Sequence, residues 1–105
     1  MRRQSVDLQQ AVTAAVSDKL AGLSGKSFDD LASLPEQISE EVDLRGTKVM
    51  LGVWHEVLPS NEHLIAVQAY RPGTLGIGRM YADGFVVNSQ NEQRQLTQEE
   101  WAPFS

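Results

Sequence analysis

Thr47 to Tyr70 reads TKVMLGVWHEVLPSNEHLIAVQAY. Two runs rich in branched and aromatic residues flank Pro59-Ser60-Asn61-Glu62, a cluster of turn formers. Such runs are strands, and the cluster between them makes a hairpin, so this stretch sets the fold. Before it, Ile38, Val42 and Leu44 alternate with Ser39, Glu41, Asp43 and Arg45, a period of two. Arg45-Gly46 supplies the turn between that strand and Thr47. Beyond Tyr70, Ile77–Ala82 and Phe85–Val87 read as two more short strands. Asp83-Gly84 between them carries a type I′ hairpin signal. Asn88 to Arg94 reads as a polar loop.

The ends of the chain are helical. Leu8, Val12, Val16 and Leu20 recur every four positions with Ala11, Ala15 and Leu23 beside them, which predicts an amphipathic helix over 5–22 with Ser5 as its N-cap. Ser27-Phe28-Asp29-Asp30 resembles a capping box and opens a short second helix. Leu31 and Leu34 face inward there, and Pro35 ends it. Thr97-Gln98-Glu99-Glu100 is a second capping box, starting a short terminal helix that carries Trp101.

The expected architecture is one α+β domain spanning 1–105. A helical segment at 5–34 packs on a meandering, strongly curved antiparallel sheet of four to six strands at 37–96. A short C-terminal helix at 97–102 follows.

Turn placement then sets the faces. A two-residue turn at Arg45-Gly46 places Val42 opposite Val49 and Asp43 opposite Lys48. A turn at Ser60-Asn61 places Val57 opposite Leu64 and Trp54 opposite Val67. One side then collects Val49, Leu51, Val53, Leu64, Ala66 and Tyr70, the natural seat for the first helix. The other collects Met50, Trp54, Leu58, Ile65, Val67 and Ala69, with Glu41, Glu56, His63 and Arg71 around them. That second side is too apolar for a wet sheet face. It requires a curled sheet, the tail carrying Trp101 and Phe104, or another chain to cover it.

No recognised catalytic pattern occurs. Gly73, Gly76 and Gly78 fail the phosphate-loop spacings, because Tyr81 stands where a third glycine belongs and Arg79-Met80 where Lys-Ser/Thr belongs. They read instead as a turn at Pro72-Gly73, or equally a four-residue loop from Pro72 to Leu75, and as backbone room beside Trp54, with Gly78 under the indole. His55 and His63 fall on opposite faces in this register, which makes them poor co-ligands for a metal, while Glu56 and His63 share a face as a candidate dyad. No serine elbow, HExxH or EF-hand pattern is present. With no cysteine there is no disulfide or thiolate chemistry.

A net charge of -5 argues against a nucleic-acid or anionic-membrane partner. No apolar run of signal or membrane-span quality occurs, so the cytoplasm is the expected compartment. The expectation is therefore a non-enzymatic interaction module without cofactor or metal. It binds itself or a protein partner through Met50, Trp54, Glu56, His63, Ile65, Val67 and Arg71. One form is a small acidic protein that neutralises a basic partner, as toxin-immunity proteins do. The alternative is a small-ligand binder or enzyme with a pocket near Tyr70, Arg79, Tyr81 and His63.

Overall fold

A computed structural model describes residues 2–72 and 79–102. Helix α1 (Arg2–Ser24) and a single-turn helix α2 (Phe28–Ala32) precede five strands and a final short helix. The strands are β1 (Gln37–Leu44), β2 (Thr47–Val57), β3 (His63–Tyr70), β4 (Arg79–Val87) and β5 (Gln93–Arg94); the helix is α3 (Gln98–Trp101). The sheet is antiparallel and open, in the order β1-β2-β3-β4-β5. The chain is thus α+β, with the N-terminal helix on one face of a meander.

Helix α1 extends past both expected limits, and Ser5 lies within its first turns instead of capping it. Its stripe is as the spacing predicts: Val12 and Val16 are fully buried, and Leu8, Ala15 and Leu20 pack beside them. In α2, Ser27 Oγ accepts the Asp30 N–H at 3.2 Å, and Leu31 drives fully into the core. In α3 both halves of the capping box form between Thr97 and Glu100.

The β1–β2 register is as the Arg45-Gly46 turn dictates, with Val42 opposite Val49 and Asp43 opposite Lys48. Both turn residues take positive φ, 55° and 79°, the type I′ geometry that matches strand twist.

The β2–β3 register differs from expectation by one residue. Val57 faces His63, Trp54 faces Ala66, and Val53 faces Val67. The loop has three residues, not two. Leu58 and Glu62 pair across it, Asn61 N–H returns to the Leu58 carbonyl at 2.9 Å, and Asn61 sits at φ 69°. Asparagine tolerates that left-handed conformation, so a type I turn followed by Asn61 closes the hairpin. A one-residue slip moves every β3 side chain to the other face. Ile65 and Val67 are therefore fully buried beneath α1, with Leu51, Val53, Ala69, Phe85 and Val87. Burying each is worth roughly 1.5–3 kcal/mol.

Asp83-Gly84 is not a hairpin. Both halves of β4 pair along the whole of β3, from His63 opposite Val87 to Tyr70 opposite Arg79, and that requires one continuous strand. Asp83 satisfies the local backbone by accepting the Gly84 N–H on Oδ1 at 2.8 Å. The return comes five residues later. Asn88 to Glu92 repeats the Leu58 to Glu62 loop, with Asn91 at φ 64°, and Gln93–Arg94 pairs with β4 where a polar loop was expected.

Candidate functional site

The second face of the sheet is built from the residues that alternate with the core. Near the β2–β3 loop it is sealed. Leu64, Ala66 and Val86 are fully buried there under Leu96, with Leu58, Trp54 and Trp101 packed around them. Arg94 fixes this cover. Its guanidinium donates to both Glu62 oxygens at 3.0 and 3.3 Å and to both Glu100 oxygens at 2.9 Å. One planar fork thus ties the β2–β3 loop to β5 and α3. The hydrogen bonds from Arg94 hold the Glu100 carboxyl down at about 2, and those from Arg94 and Ser60 lower Glu62.

Toward the other end the face is only half covered. Met50, Trp54 and Tyr70 are half-buried, and Glu41 and Glu56 lie exposed at its margin. Trp54 packs back over its own strand: a Cβ at Gly52 would collide with Cζ3 and Cη2 at the far edge of its indole. This is the aromatic-over-glycine packing expected of Gly78, with Gly52 as the glycine. Gly73, Gly76 and Gly78 lie outside the described residues. Tyr70 tilts against the indole at a centroid distance of 6.1 Å and reaches over β2 to Ser39, its hydroxyl 3.2 Å from Oγ.

Of the seven residues expected to form the interaction patch, the fold brings only some together. Met50, Trp54 and Glu56 alternate along β2 on the outer face. Ile65 and Val67 do not belong with them, because the three-residue loop turns them into the core. His63 faces the core side too, while Arg71 is exposed just beyond β3. Tyr70 takes the place that Ile65 and Val67 were assigned. The alternative pocket is dispersed: Tyr70 and Tyr81 face opposite sides of the sheet, and His63 stands at the far end of β3 from Tyr70 and Arg79.

The same slip brings the two histidines together, where opposite faces were expected. His55 Nδ1 is 2.8 Å from the Leu34 carbonyl, and His55 Nε2 is 2.7 Å from His63 Nδ1. A carbonyl only accepts, so His55 carries its proton on Nδ1. In the neutral pair His63 Nδ1–H then donates to His55 Nε2. Phe28 meets the His63 ring edge-on at 5.0 Å, and its N–H donates to Asn91 Oδ1 at 2.7 Å. The pair therefore pins α2 and the chain after it to the sheet. Among the described residues, no group of three or more His, Asp or Glu side chains is placed to hold a metal ion.

Burial and the His55 ring lower the His63 pKa from 6.5. As pH falls below 6.5 the unfolded chain takes up this proton first, so stability declines until pH has passed through the lowered folded value. Unfolding midpoints in urea should fall across that window. The His63→Gln chain should show a flatter profile; an unchanged profile contradicts the coupling.

Comparison with protein-family models, with curated proteins and with solved structures finds no match. No described helix is long and apolar enough to cross a membrane.

Proposed function

We propose that the chain is a non-enzymatic interaction module that captures a protein partner on the half-covered face around Trp54. The observation that supports this reading is the contrast within one face. Leu64, Ala66 and Val86 are sealed by the tail, while the adjoining row of Met50, Trp54 and Tyr70 stays half-open. Large amphipathic aromatics are enriched at interface centres, and Glu41 and Glu56 stand where a polar rim belongs. The indole is held in place by the bare backbone of Gly52 and by Tyr70, so little side-chain freedom is lost on binding.

A photo-crosslinking amino acid at Met50 tests this against one at Ala14, an exposed position on α1. Adducts should form from position 50, disappear on Trp54→Ala with the circular dichroism spectrum unchanged, and be missing from position 14. A doubled chain mass would identify the partner as a second copy. The same adducts from both positions, or none from position 50, would remove the proposal.

A further inference from the structure

The two edges of the sheet are unlike. β5 is only two residues long and is tied down through Arg94. β1 is eight residues long, has no strand on its far side among the described residues, and is exposed along Gln37–Glu41. The Glu36 carbonyl accepts the His55 N–H at 2.9 Å, which fixes the alternation of hydrogen bonding along the strand. Ile38, Glu40, Val42 and Leu44 turn their backbone groups to β2. Gln37, Ser39, Glu41 and Asp43 turn theirs to the open side.

The side chains of these same four residues lie on the outer face. Gln37 pairs with Trp54, Ser39 with Gly52 and Glu41 with Met50. A strand added to β1 would therefore bring its alternate side chains onto the face proposed above. The local charge selects its chemistry. Glu41, Asp43 and Glu56 stand on this side with Lys48, whose bond to Glu41 at 3.3 Å is solvent-exposed and readily exchanged.

A second copy meets like charges in two of its symmetric registers. The two-fold antiparallel pairing that engages all four open residues sets Glu40, which Lys19 pairs at 3.2 Å, across from its own symmetry mate. The next register toward Asp43 does the same to Glu41. Like charges directly opposite are destabilising.

We infer that the open side of β1 receives an extended, cation-bearing peptide strand whose Lys or Arg side chains stand across from Glu41 and Asp43. Main-chain hydrogen bonds to Gln37, Ser39, Glu41 and Asp43 supply the pairing, and the acids supply the selectivity. The inference rests on the outer face being the binding face and names the partner's chemistry. Acidic side chains on an edge also deter random strand pairing, and the experiment separates that protective role from recognition.

The probe is a ten-residue peptide of alternating lysine and threonine, followed by amide hydrogen exchange on the intact chain. Exchange at Ser39 and Glu41 should slow at least tenfold at saturation, with α1 unchanged. A glutamate–threonine peptide should have no effect, and Glu41→Gln should weaken the lysine peptide at least threefold. The lysine peptide methylated on alternate backbone nitrogens keeps its charge but cannot pair, and it should not protect. Equal protection by that analogue, no protection at millimolar peptide, or β1 protection with a dimer mass before peptide is added would each overturn the inference. Trp54-dependent adducts at position 50 without β1 protection would sink this inference and leave the proposed function standing.

Discussion

Val67→Asp should unfold the domain, while the neighbouring Gln68→Glu leaves it folded. Val67 is fully buried between α1 and the sheet, among Val16, Val53 and Phe85 of the same core cluster. The substitution removes roughly 1.5–3 kcal/mol of apolar burial. It also places a carboxylate in a site whose neighbours in that cluster are apolar, at a cost of several kcal/mol. Total stability for a chain of this length is about 5–15 kcal/mol, so the sum removes most of it. Gln68 points to the half-covered face, where an isosteric change should stay within about 1 kcal/mol. Far-ultraviolet circular dichroism and urea titration check both. Were the loop at Ser60-Asn61 a two-residue turn, the two outcomes would be exchanged.

Gly84→Ala should cost about 3 kcal/mol, the upper end of what overpacking does. A methyl there would stand 2.5 Å from the Ile65 carbonyl oxygen, 3.1 Å from Ala66 Cα and 3.3 Å from Leu96 Cδ1. The first two are backbone atoms of β3 and cannot swing aside, so β3 and β4 must part. The expected fall in thermal midpoint is roughly 15 °C for a domain of this size. Gly52→Ala makes an instructive contrast, since the group in its way is the far end of the Trp54 side chain, which can swing out. A fall of under about 1 kcal/mol for Gly84→Ala would show that the strand pair is looser at this point.

Where one residue type fixes one local geometry, the fold was legible in the sequence. Arg45-Gly46 set the β1–β2 register, Thr97 and Glu100 set α3, and the four-residue spacing of α1 set its buried stripe. The β2–β3 register was not, because it turns on whether Asn61 is the second residue of a turn or the third of a loop. The recurrence of Asn-Glu at Asn61-Glu62 and Asn91-Glu92, each four residues after a strand's last pair, is the signal that both loops share a plan. Asp83-Gly84 misled for the opposite reason. Its residues suit a turn, but β3 is long enough to hold all of β4, and tertiary pairing overrode local preference.

The outer face suffered most from the slip. Met50, Trp54 and Glu56 were placed correctly because β2 carries them whatever β3 does. Ile65, Val67, His63 and Tyr70 exchanged faces together. The Arg94 fork could not be read from sequence at all, since its two partners, Glu62 and Glu100, come from a loop and a helix far apart in the chain.

That single residue of register sends Ile65 and Val67 inward and leaves Met50, Trp54 and Tyr70 as the outer row. Close Hα–Hα approaches across the β2–β3 pair report it directly by nuclear Overhauser spectroscopy. Cross-peaks between Val53 and Val67 and between His55 and Ile65 are predicted. Cross-peaks joining Val53 to Gln68 and His55 to Ala66 would contradict it.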